Sequence, residues 1–373
     1  MSGLILSNIL AFMLCVAFIT VLRRVSVTVA LVDHPDARKR HDGHIPLCGG
    51  IAIFAAFAIV SSVSGQLLSL SVNYWLALAI ILALGVADDR YQLSAFRRLL
   101  VQLLASLIMV AEFDTSSLSL NFFHTEIAAL ALVAFVISTC FITGLVNSWN
   151  MLDGVDGLAG GAAAVAIMWL LVISGFSGSS DVMPSLEILL VGICGFLIFN
   201  MRSPWRPRAS IFLGDAGSTA LGATLSYVIL MLAAGDSAIP FAALLWVVII
   251  PIIDTLSLMI RRVLDRRSPM SADRWHLHHL LLDSGLSPAS ATGVITALSA
   301  ICGGIGYIGI VQGVSGFVMA AGLLVPAALH TGFVLMWRPR KPAFQRLLGS
   351  AASGSPEVIS LAATKRDKSG VEI

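Results

Sequence analysis

Uncharged apolar runs of about 20 residues recur along the chain, separated by short segments that gather most of its charge. Runs of that length fit membrane-crossing helices, whereas a spanning barrel would show short strands of alternating polarity. The pattern predicts an all-α polytopic membrane protein with eleven transmembrane helices, over 4–22, 47–66, 71–87, 98–112, 127–146, 158–177, 186–200, 216–234, 237–259, 289–311 and 315–336. The uncharged run from Leu286 to Leu329 is too long for one crossing and divides at Gly313-Val314-Ser315-Gly316. The first ten residues carry no basic stretch and no small-residue cleavage site, so the first span is expected to be a retained anchor.

Composition excludes a water-soluble globule: 57% of the 373 residues are hydrophobic and 12% charged, about half the share usual in soluble domains. The net charge of +2 says little, but its distribution orients the chain. With eleven crossings all 23 basic residues fall on one side, in 23–46, 88–98, 201–215, 260–285 and after Trp337. The opposite loops hold Asp114, Glu126, Asp181 and Asp236 and no basic residue. Basic loops stay inside, which predicts a periplasmic N-terminus and a cytoplasmic C-terminus. Residues 1–337 then form the membrane domain and 338–373 a cytoplasmic tail, expected to be disordered beyond Gly349. The five Cys sit in or beside apolar runs without CxxC spacing and read as packing residues.

The remaining polar residues concentrate in five patches of the basic face: 33–50, 87–94, 147–161, 199–218 and 261–279. Asp88-Asp89 closes the third span, where adjacent carboxylates need solvent, a partner or a metal. Arg90 could be that partner, or Mg²⁺ could join the carboxylates to substrate phosphates. In Asn150-Met-Leu-Asp153-Gly-Val-Asp156-Gly a helical turn would put the three polar residues on one face, while Asp156 alone could cap the sixth span. Asp215 opens the eighth span, where it can cap the helix and can also stand beside a phosphate at the helix N-terminus, two explanations that are not exclusive. Arg274, His276, His278 and His279 follow a stretch of arginines and no nearby Cys, which favours an anion over zinc. Arg38-Lys39-Arg40-His41 and His44 suit lipid headgroups. Asp254, inside the ninth span, is either functional or a satisfied structural group. Acidic residues for Mg²⁺ and basic residues for phosphate on one face suggest phosphoryl transfer.

The ordered set RKRHDGHIPLCGG, ADDR, NMLDGVDGLAGG, FLGDAGS and DRWHLHH, over about 33–285, resembles the polyprenyl-phosphate N-acetylhexosamine-1-phosphate transferases of glycosyltransferase family 4. The HLHH and RKRHDGHIP forms are most similar to the branch that starts O-antigen and related surface polysaccharides, with the phospho-MurNAc-pentapeptide transferases more distant. The resemblance implies an inner-membrane enzyme that joins UDP-GlcNAc and undecaprenyl phosphate into GlcNAc-diphospho-undecaprenol and UMP with Mg²⁺, Mn²⁺ being a substitute ion. Membrane lipids are implied as surroundings, no nucleic acid as partner, and a homodimer is left open. Carried over by motif, Asp215 is the principal metal ligand, and Asn150 or Asp153 helps bind metal or diphosphate. Asp88 deprotonates or steers the lipid phosphate, with Asp89 beside it. Asp156, Asn200 and Phe212 hold the uridine; Arg274, His276, His278 and His279 bind the sugar diphosphate. Many relatives carry a third Asp where this chain has Gln92, so no role passes to that position.

Two other readings compete. An intramembrane prenyltransferase would show two Asp-rich motifs, each ending in a further Asp, which Gln92 opposes. A secondary transporter would hold its carboxylates near the midplane, where only Asp254 qualifies.

Overall fold

The structure, a computed structural model, describes residues 2–33, 44–113, 128–234, 239–268 and 275–336. The Arg38–His41 patch, Arg274 and the tail lie outside the described residues. Met1–His330 forms one compact unit; of a second, Thr331–Ile373, the described part is the end of a helix.

Apart from one antiparallel pair of two-residue strands, β1 (Val32–Asp33) and β2 (Ile45–Pro46), the described architecture is helical. The helices are α1 (Ser2–Thr28), α2 (Gly49–Val63), α3 (Val72–Tyr91), α4 (Ala95–Val110), α5 (Ala128–Leu152), α6 (Leu158–Ser177) and α7 (Met183–Asn200). They continue with α8 (Gly214–Ala234), α9 (Phe241–Leu245), α10 (Ile249–Leu264), α11 (Leu277–Asp283), α12 (Pro288–Val311), α13 (Gly316–Gly322) and α14 (Leu324–Met336). Each predicted span finds helix at its place. Among the described residues nine helical stretches are long and apolar enough to cross a membrane, while α2 and α4, of 15 and 16 residues, are shorter. The protein is thus a multi-pass membrane protein.

Several boundaries moved for physical reasons. The ninth stretch is broken: Pro251 has no N–H for the preceding turn, and a 3-10 turn, Trp246–Val248, joins α9 to α10. Hydropathy places the fourth span from 98, yet α4 starts at Ala95, because Ser94 caps it by accepting from Arg97 N. Helix α5 runs six residues beyond its predicted end and carries Asn147 and Asn150 with it.

Helix α8 is the innermost element, buried along nearly its whole length and packed by α2, α3, α5 and α6. At one end Tyr74 hydrogen-bonds Thr224, and the Glu112 carboxylate accepts from Ser71 and Tyr227, closing α3 and α4 onto the C-terminal part of α8. At the other end α2 meets α8 backbone to backbone. Gly50 N donates to Leu213 O at 2.9 Å, and a methyl at Gly50 would overlap the Cα and amide nitrogen of Gly217.

Gly50→Ala is therefore expected to destabilise the protein by about 1–3 kcal/mol, the usual cost of overpacking. Gly144→Ala, whose new methyl meets nothing within 4 Å, serves as its control. Equal melting midpoints for the two purified variants would show that α2 and α8 do not approach so closely.

Candidate active site

The C-terminal ends of α3 and α5 and the N-terminal end of α8 converge, and each brings a motif. Asp88 and Asp89 end α3, Asn150 lies in the last turn of α5, and Asp215 is in the first turn of α8. Asp89 accepts from the backbone N–H groups of Asp215, at 2.9 Å, and Ala216, at 3.4 Å. The α8 N-terminus is thus capped by a carboxylate from α3, 126 positions away in sequence. This corrects the expectation that Asp215 caps its own helix: the capping carboxylate is Asp89. The Asp215 side chain is directed elsewhere. Its Oδ1 accepts from Asn150 Nδ2 at 2.8 Å, and Asn150 also donates to Ser218 Oγ at 3.1 Å.

Asp88 is buried, its Oδ1 accepting from Leu93 N and its Oδ2 from Arg98 Nη1, both at 2.7 Å. Arg98 Nη1 also lies 3.8 Å from Asp215 Oδ2. Arg98 is a site residue that motif reading missed. Its one signal was position, on the first turn of a helix that follows the Asp pair directly. Arg90, the alternative partner for that pair, is exposed and stacks on Tyr91. Asp153 lies near enough to Asp89 for their charges to act on each other, as Asp88 does on Asp215.

The helical face expected for Asn150, Asp153 and Asp156 does not form. Helix α5 stops at Leu152, and Asp153 and Asp156 lie in the loop before Gly157, the N-cap of α6. Nor does Asp156 cap α6; its Oδ2 accepts from Arg202 Nε at 2.7 Å and Ala209 N at 3.2 Å. Asn200 links the same loops, accepting from Gly157 N at 2.8 Å and donating to Ile211 O at 2.9 Å. Phe212 is pinned through its backbone, its N–H donating to Pro46 O and its carbonyl accepting from Gly49 N. Asp156, Asn200 and Phe212 thus shape one loop cluster. A cavity of about 350 Å³ opens beside it, lined by Asp156, Met201, Arg202, Thr292 and Thr296.

The histidines stand over the α5–α6 loop. His276 and His278 stack with centroids 5.4 Å apart and planes 6° apart, and His279 lies 4.3 Å from His278. The His278 ring rests on Gly154, where any Cβ would collide with it. Asp254 is held from three sides, by His276, Leu277 N and His330.

The chemistry open to this arrangement is set by its donors. Among the described residues no three His, Cys, Asp or Glu are placed to hold a metal by themselves. Mg²⁺ needs no such cage, since it takes one or two carboxylates together with substrate phosphates. The hard oxygens of Asp215, Asn150 and Asp89 are of the kind it takes. Arg98 beside them, and the histidines over the α5–α6 loop, offer contacts to phosphate.

A sequence model of glycosyl transferase family 4 matches residues 71–233, which hold the Asp pair, the α5–α6 loop and Asp215. The chain is also similar, over most of its length, to bacterial proteins named undecaprenyl-phosphate alpha-N-acetylglucosaminyl 1-phosphate transferase. That of Yersinia pestis is 33% identical over 301 residues, 80% of this chain and 82% of the relative. That of Escherichia coli K12 is 30% identical over 300 residues, 80% and 81%. The Haemophilus influenzae protein is 32% identical over 317 residues, 83% and 88%.

Proposed function

The chain belongs to glycosyl transferase family 4, and we propose that it transfers GlcNAc-1-phosphate from UDP-GlcNAc to undecaprenyl phosphate at the cytoplasmic face of a bacterial inner membrane. An oxygen of the lipid phosphate attacks the sugar-bearing phosphorus. The bond from that phosphorus to the bridging oxygen breaks, and UMP leaves. The observation that carries this reading is the convergence of Asp88, Asp89, Asp215 and Arg98 at one end of the bundle, within reach of Asp153.

Asp215 and Asn150 would hold Mg²⁺, with Asp89 capping the α8 terminus that carries Asp215. When bound there, Mg²⁺ would supply charge neutralisation and alignment of the phosphates. Asp88, which orients Arg98, steers the acceptor phosphate entering from the bilayer. Asp153, His278 and His279 meet the donor's diphosphate, with Arg274 from the adjoining segment. Asp156, Asn200 and Phe212 build the loop against which the uridine lies, the first two by holding backbone. Direct attack is favoured, since aligned phosphates need no protein nucleophile. The product would start O-antigen or a related surface polysaccharide.

The test is UMP release by the purified full-length protein given UDP-GlcNAc, Mg²⁺ and undecaprenyl phosphate. Release that ignores the lipid phosphate, or none at all, would overturn the reading. A second measurement addresses orientation: a reporter fused after Asp181 is expected to read periplasmic and one after Ser268 cytoplasmic. A cytoplasmic signal at Asp181 would invert the proposed face.

A further inference from the structure

His330, on α14, lies outside the five motif patches in sequence, and it is not isolated. Its side chain is 5% exposed, and its Nε2 lies 3.0 Å from Asp254 Oδ1. The same carboxylate meets His276 Nδ1 at 3.0 Å through Oδ2 and accepts from Leu277 N at 2.9 Å through Oδ1. A carboxylate only accepts, so both imidazoles donate to it. Three donors from two segments, α14 and the start of α11, therefore meet on one buried group of α10.

We infer that His330 is a positioning residue for the sugar-phosphate transfer: through Asp254 it fixes the His276–His279 segment over Asp153-Gly154. The inference rests on the proposed function only in taking that segment as part of the site. The path is short and continuous. Asp254 sets the plane of His276, which stacks parallel on His278, and His278 lies directly on Gly154. Without the His330 donor, Asp254 Oδ1 keeps one hydrogen bond fewer and can turn, and the His276 ring turns with it. Partners of this kind, one step behind the groups that touch substrate, typically change activity by about 10- to 100-fold in metal sites. A group that merely filled space on α14 would have no such effect once the protein was folded.

The experiment compares His330→Phe, which keeps the bulk and removes the donor, with His330→Gln, whose amide N–H can reach Asp254. Both are made in the full-length protein. The first readouts are kcat and KM for UDP-GlcNAc; the second is amide hydrogen exchange across 275–283, which includes the Leu277 N–H bound to Asp254. His330→Phe is expected to lower kcat about tenfold and to deprotect that segment, with KM for the lipid phosphate unchanged, and His330→Gln to restore both. Wild-type kcat and protection in His330→Phe would overturn the inference. So would equal losses in Phe and Gln variants accompanied by a common drop in melting temperature, because packing alone would then account for them. If the wild type released no UMP, the proposed function would fail, and the exchange comparison would still decide whether His330 holds the segment.

Discussion

Asp215→Asn is expected to lower UMP release at least about a hundredfold while leaving the fold intact, a loss of about 2.7 kcal/mol of transition-state stabilisation. The structure separates the two consequences more cleanly than the sequence could. Because Asp89 caps α8, removing the Asp215 charge leaves the cap in place. Because Asp215 Oδ1 only accepts from Asn150, an asparagine oxygen can take over that bond. What disappears is one negative charge from the site proposed to hold Mg²⁺ together with the substrate phosphates. The check is UMP release across Mg²⁺ concentrations beside a melting curve. Near-normal turnover at limiting Mg²⁺ would remove Asp215 from the metal site. Asp89→Ala makes the contrast: it strips the cap as well and should cost about 1 kcal/mol of stability in addition.

The spans were legible because lipid leaves the backbone few options, so apolar length alone identifies helix. Their ends were not, since these depend on local chemistry that hydropathy averages away. Ser94 extends α4 backwards over Arg97, and Pro251 breaks the ninth stretch into two helices and a 3-10 turn. The acidic motifs were legible as residue types, and the structure does bring Asp88, Asp89, Asn150 and Asp215 together. Which one does what was hidden, because each role depends on a partner far away in sequence. Asp89 serves α8, Asn200 joins the loops around Gly157 and Ile211, and Asp254 answers to His276 and His330. A lone histidine in an apolar run such as that around His330 carries no signal until the fold supplies its acceptor. Arg98 was passed over for the opposite reason: in a positive-inside loop one more arginine looks like anchoring.

The proposed function assigns the two substrates to different sides of the site, and Asp88→Asn and His279→Ala are expected to separate them. Asp88 is buried, with one oxygen on Leu93 N and the other on Arg98. In Asp88→Asn the new amide can still accept from Leu93 N, but it then turns its NH₂ toward the guanidinium, setting donor against donor. Arg98 loses its orientation, and turnover should fall about a hundredfold with UDP-GlcNAc binding changed less than about twofold. His279 lies on the other side, 4.3 Å from His278 and so next to the ring that covers Gly154. Its replacement by alanine should weaken UDP-GlcNAc binding about tenfold, the loss of roughly one charge-assisted hydrogen bond, and leave the dependence on lipid phosphate unaltered. Calorimetric titration of UDP-GlcNAc into each variant, set beside turnover over a range of lipid-phosphate concentrations, distinguishes the two. Equal loss of nucleotide-sugar binding in both would show that Asp88 and His279 serve one substrate. A zinc content near one per chain that vanished in His279→Ala would show that the histidines hold a cation where an anion is expected, and the donor diphosphate would have to lie elsewhere.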